Sequence, residues 1–205
     1  MGVANSKALM IGSDCNILQR VSKEWNTMKV KEFVDNYRKG SFDFTANSFF
    51  VEKFFEIDAF DAENIVNRFA SERSNGENVI NLVLFLISIL CIFSNPMMTV
   101  DGRLKEILHL MDFKQQRQFT KNEFVVFLFC ICHALGTTLS EKVAVAEIEM
   151  QRYASNVLFE YRSTTVISFD HISAYARIHF SDAAHTCESV FQLLISLIAE
   201  SNSHL

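Results

Sequence analysis

A short frame that recurs four times constrains this chain more than any other feature. In each copy an apolar residue is followed by a polar, cap-forming one, and an apolar residue returns five positions on. The copies are Phe44-Thr45-Ala46-Asn47-Ser48-Phe49, Ile80-Asn81-Leu82-Val83-Leu84-Phe85, Phe119-Thr120-Lys121-Asn122-Glu123-Phe124 and Ile167-Ser168-Phe169-Asp170-His171-Ile172. They lie about 36 to 48 residues apart, the length of one helix–loop–helix unit. The first apolar residue is expected to make a short strand contact with a paired loop. The polar residue starts the exiting helix by accepting bonds from its orphan N–H groups. The returning apolar residue is that helix's first core contact.

The third copy has the fullest surroundings. An amphipathic run ends at Met111, twelve loop-like residues run from Asp112 to Glu123, and a second apolar run follows to Cys132. An acid at the first position and a glutamate at the twelfth is the spacing at which a loop wraps oxygen ligands around calcium. Phe119, at the eighth position, is where an apolar residue joins the loop to a neighbouring one. The intervening positions do not follow suit. Asp112, Gln116, Gln118 (through its carbonyl), Thr120 and Glu123 could supply oxygen, but Lys114 puts a cation at the third position and Arg117 replaces the turn glycine at the sixth.

Composition fits a helical chain with a full core. Hydrophobic residues make up 49% against 21% charged, with one proline, six glycines and twenty phenylalanines. That excludes disorder and suggests a bulky aromatic core or a large apolar groove. The net charge of −5 comes without a basic cluster, so no nucleic-acid partner is expected. Four of the five cysteines (Cys91, Cys130, Cys132 and Cys187) fall in apolar runs and read as buried thiols of a reducing compartment. No catalytic motif is present. The six histidines form no metal pattern, and neither a nucleophile elbow nor a phosphate loop occurs, so an enzyme is not expected. Met1-Gly2-Val3-Ala4-Asn5-Ser6 fits the N-myristoylation pattern, with Gly2 the acylated residue. A single acyl chain holds a membrane only marginally, so a second signal is needed, either Cys15 or a membrane-bound partner.

Along the chain, residues 1–16 read as an N-terminal arm and Ile17 to Tyr37 as a helix. Further helices are expected from Phe44-Thr45, from Asp61 as an N-cap, over Leu82 to Phe93, and over Leu104 to Met111 after Asp101. Others are expected over Phe124 to Leu135 with Gly136 as the stop, from Thr138-Leu139-Ser140-Glu141 as a capping box to about Phe159, from Val166 through Ile178, and from Ser181-Asp182 onward. Ser74-Asn75-Gly76-Glu77-Asn78 is the clearest turn. The apolar runs are too short for the roughly 20 residues of a membrane span and read as buried helices.

On these residues the chain resembles the EF-hand proteins, most nearly the calcineurin B, recoverin and calcium- and integrin-binding branch. Thr99-Val100-Asp101-Gly102-Arg103-Leu104 before the third unit and Met111-Asp112-Phe113 within it share in the likeness. The resemblance implies an all-α fold of four degenerate EF-hand helix–loop–helix units in two paired lobes, at 17–95 and 96–180, with a C-terminal helix and tail at 181–205. It also implies binding of a helix from a larger partner protein. No loop carries a complete ligand set, so calcium is not expected as a cofactor. The surplus apolar surface would line a partner groove through Phe85, Ile89, Phe93, Phe127 and Ile131. The expected function is a calcium-independent adaptor or regulatory subunit, cytoplasmic or at a membrane face through Gly2. The alternative is a structural component of a cytoskeletal or ciliary, microtubule-associated assembly.

Overall fold

The computed structural model describes residues 32, 35, 45–74, 77–92, 100–139, 143–180 and 187–201. The described chain is mostly helical, with small sheets. Its helices are α1 (Ser48–Phe55), α2 (Ala59–Phe69), α3 (Leu82–Ile92), α4 (Val100–Met111), α5 (Lys121–Leu139), α6 (Glu147–Glu160), α7 (Phe169–Phe180) and α8 (Cys187–Glu200). Five short strands join them: β1 (Thr45–Ala46), β2 (Ala70–Ser74), β3 (Glu77–Asn81), β4 (Gln118–Thr120) and β5 (Val166–Ser168). The expected arm at 1–16, the helix from Ile17 and the Gly2 signal lie outside the described residues, apart from helical Glu32 and Asp35.

The strands tie the repeated units into pairs. β4 runs antiparallel to β5 with Phe119 opposite Ile167. In the first half, β1 and β2 flank β3 in a three-stranded sheet, with Ala46 and Ala70 both opposite Ile80. These registers correct the first copy of the frame by two residues. Ala46, not Phe44, holds the strand position facing Ile80, and Asn47, not Thr45, is the cap. The Asn47 side chain accepts from the Phe50 N–H at 3.0 Å. Asn81 does the same for Val83 and Leu84, Thr120 for Glu123, and Ser168 for His171. With this shift the four strand residues Ala46, Ile80, Phe119 and Ile167 are all buried, as are the returning residues Val51, Phe85, Phe124 and Ile172. Phe49, which the unshifted frame placed in the core, is 65% exposed. Each fully buried aliphatic or aromatic side chain of this set contributes about 1.5–3 kcal/mol.

The core is continuous across the two halves. α3 and α5 pack against each other at its centre, α6 and α8 cover further sides of α5, and α4 packs against α7. α5 is the one described helix long and apolar enough by length and composition to cross a membrane, and half of its most apolar window is buried inside the fold.

Several helix boundaries differ from expectation for local reasons. Asp58 rather than Asp61 caps α2, accepting from the Asp61 N–H at 2.7 Å. α5 does not stop at Gly136. It continues to Leu139 and buries Gly136, with the Thr138 hydroxyl donating to the Ala134 carbonyl at 2.7 Å. Thr138 therefore lies inside α5, and α6 begins later, with the Ala146 N–H donating to the Glu149 carboxylate at 2.7 Å. The expected cap at Ser181-Asp182 lies outside the described residues.

Candidate functional site

The third loop hangs between α4 and α5. Leu108 and Met111 anchor its entry in the core, and Phe119 and Phe124 anchor its exit. Phe119 also packs against Phe127 and Phe169, with ring centroids 5.4 and 4.9 Å apart. The loop backbone is fastened to the fourth unit at three places. These are the β4–β5 pairing, the Lys121 N–H donating to Thr165 at 2.9 Å, and the Phe169 N–H donating to Arg117 at 3.1 Å.

Within this frame each acid has a structural task. Asp112 is buried, and its two carboxylate oxygens accept the N–H groups of Gln116 and Arg117, both at 3.0 Å. It closes the turn from inside. One Glu123 carboxylate oxygen accepts from both the Thr120 N–H (2.8 Å) and its hydroxyl (2.9 Å), while the Glu123 N–H reaches back to the Thr120 hydroxyl oxygen at 3.3 Å. That is a reciprocal capping box on α5. Threonine followed three residues later by glutamate is a visible helix-start signal, and it explains Glu123 without any metal.

The other Glu123 oxygen lies 2.7 Å from the Lys114 ammonium. The lysine brings its positive charge from the third loop position to the carboxylate at the twelfth, the two positions that share an ion in a calcium loop. The Lys114 ammonium and the Thr120 donors hold the Glu123 carboxyl down to about 2 from its ordinary 4.5. Arg117 adopts the left-handed backbone (φ 52°) that favours glycine, as does Gln115 (φ 54°). The Arg117 guanidinium is exposed and lies 3.9 Å from the equally exposed Asp170 carboxylate. Gln116, Gln118 and Thr120 are exposed, and Gln118 lies in β4 opposite Ser168. A cleft of about 590 Å³ opens beside the loop, lined by Lys105, His109, Asp112, Arg117, Phe169 and Asp170 among others. Its charges are mixed in sign and select neither an anion nor a cation.

Two other loops use their backbone differently. Where the second unit would present a loop, β2 and β3 zip into a hairpin from Ala70 opposite Ile80 to Ser74 opposite Glu77, with an irregularity at Ala70/Glu72. In the fourth, Arg162 (φ 54°) and Ser163 send their N–H groups back to Phe159 and Leu158, closing α6 with a Schellman-type turn. At the twelfth position of that loop stands His171, stacked on Tyr161 at 4.5 Å.

The expected groove does not stand open. Phe85, Ile89 and Phe127 are buried, Phe85 against Phe55 and Phe69 and Phe127 against Phe119 and Phe124, and Ile131 is half-buried. Phe93 lies outside the described residues. The apolar surplus of the two helices is covered partly by each other and partly by the elements packed around them. Burial pushes the Cys130 and Cys132 thiols up to about 11 and about 12, away from nucleophilic character, and pushes His133 down. Among the described residues no cluster of three His, Cys, Asp or Glu side chains is placed to hold a metal. Compared with known proteins, the chain matches no family model, no curated protein and no solved structure.

Proposed function

We propose that this chain is a calcium-independent adaptor or regulatory subunit. It consists of four degenerate EF-hand-like units in two pairs, and it holds a helix of a larger protein. Acylation at Gly2 would set it at a membrane face. The observation that carries the reading is the Lys114–Glu123 ion pair inside a loop whose paired strands and caps are intact. A fixed ammonium in place of a diffusible cation makes the loop's shape independent of calcium concentration. The role of partner-holder is supported by apolar side chains left outside the core. Val126 and Phe129 stand exposed on α5, and Ile148 and Phe159 stand exposed three turns apart on one face of α6.

The test is affinity capture of the full chain followed by crosslinking mass spectrometry, once with chelator and once with millimolar calcium. The expected result is the same partner, crosslinked through a helix, in both conditions. Capture that requires calcium would sink the calcium-independent reading. A monodisperse chain that captures nothing reproducibly would sink the adaptor reading.

A further inference from the structure

Two arginines are exchanged between the halves of the molecule. Arg68, on α2, donates from Nη2 to the carbonyls of Thr137 (3.3 Å) and Thr138 (3.0 Å) in the last turn of α5. Arg103, on α4, donates from Nη1 to the Cys91 carbonyl (2.7 Å) in the last turn of α3. The pattern is reciprocal. The helix entering the second unit caps the helix leaving the third, and the helix entering the third caps the helix leaving the second. Between them lies the α3–α5 contact, where the buried Ser88 hydroxyl sits 3.1 Å from the Ala134 carbonyl and 3.0 Å from that of Leu84.

We propose that Arg68 and Arg103 form a clasp that fixes how the two paired halves are set against each other. The apolar contact between α3 and α5 is strong but non-directional, and side chains such as Ile87, Ile89, Leu128 and Leu135 can mesh in more than one register. The last carbonyls of a helix are discrete acceptors at one end of its axis, and they attract cations. An arginine anchored in the opposite half and bonded to those carbonyls selects one axial position and one crossing angle. Two such ties, pointing in opposite directions, remove both sliding and rotation. The clasp also accounts for α5 passing through Gly136, because Arg68 satisfies the carbonyls beyond it. The consequence is that any partner meets one fixed body, and the halves do not open and close around it. This inference stands on the inter-half hydrogen bonds and is independent of the calcium reading.

The experiment measures distances in the full chain between bioorthogonal spin labels at exposed Glu63 on α2 and exposed Asn156 on α6. The unaltered chain is expected to give a single narrow distribution. Arg68→Met combined with Arg103→Met is expected to broaden it roughly two-fold or split it, with helical circular dichroism retained, because directionality is lost while apolar burial remains. Each single Met variant is expected to broaden it less, and these carry the test if the double variant loses its helices. Val51→Ala, which loosens the first half away from the clasp, is expected to leave the distribution narrow. Three outcomes overturn the proposal: a broad distribution in the unaltered chain, Met variants as narrow as that chain, or equal broadening by Val51→Ala.

Discussion

Replacing Lys114 with methionine keeps the unbranched side chain to within one atom of its length and removes its charge. The ion pair it breaks is short, at 2.7 Å, but both groups meet water, the lysine side chain being 62% exposed and the glutamate 34%. Screening at that exposure leaves the pair worth about 0.2–1 kcal/mol. The two Thr120 bonds to Glu123 survive the substitution, so the cap on α5 remains and the loss should stay within that range. The pH dependence identifies the cause. Glu123 has its carboxyl held to about 2 in the fold, below the ordinary 4.5. A depressed carboxylate contributes stability that is fully present above the unfolded value and is lost as pH falls from there towards the folded one. In Lys114→Met the Glu123 carboxyl loses its largest support and moves back up. The difference between the two proteins is therefore greatest above 4.5 and disappears as pH approaches about 2. Urea midpoints measured at intervals from neutral to acid pH, with and without high salt, read this directly. A difference that persists unchanged into acid, or that resists salt, would show that Lys114 acts by packing and refute the charge-substitution argument.

Three further outcomes follow from the same geometry. Lys114→Asp with Gln116→Asp removes the cation and adds two carboxylates to a loop that already has Asp112 and Glu123, so calorimetry should detect calcium binding by the variant and none by the unaltered chain. No calcium heat would place the loop frame in error. Arg117→Gly relieves a left-handed residue and should raise stability by about 0.5–1 kcal/mol in denaturant titration, and a loss would mean the Arg117 side chain matters more than its backbone. Val51→Ala should cost about 1.5–3 kcal/mol while Phe49→Ala stays within about 0.5 kcal/mol, and the reverse order would restore Phe44 as the strand residue of the first unit.

The periodic frame was readable because its three tasks need three kinds of side chain. Strand contact needs an apolar residue, helix capping needs a short polar one, and the core needs another apolar one. In the second, third and fourth copies each kind occurs once at the right spacing. The first copy offered a choice. Phe44 with Phe49 satisfies the pattern as well as Ala46 with Val51, and aromatic weight favours the wrong pair. What selects Ala46 is Ile80 across the strand, a partner that local pattern does not contain. The end of α5 was hidden in the same way. Gly136 and the Thr138–Glu141 spacing are sound local stop and start signals, but Arg68, 70 residues from Thr138, satisfies the carbonyls that would otherwise end the helix. The groove expectation had a different source. A helix that is apolar all round must be covered, but periodicity does not say by what. Phe85 packs against Phe55 and Phe69, and Phe127 against Phe119 and Phe124, so the cover is the rest of the same chain.

The third loop shows which of its residues bear on metal chemistry and which do not. An acid at the first position and a glutamate at the twelfth look like ligands, but here both are fully employed in shaping the backbone. Asp112 gathers two N–H groups of its own turn, and Glu123 completes the cap of α5. Both would keep these tasks with no ion present, so their occurrence alone argues nothing about calcium. The informative position is the third. An aspartate there would add charge that only a cation could offset, whereas Lys114 supplies the cation covalently and leaves Glu123 paired. This loop has its strand pairing, caps and core anchors in place, and its twelfth-position carboxylate is paired by a lysine without an ion. On the proposed adaptor reading, the working surface is therefore to be sought on the helices and not in the loop.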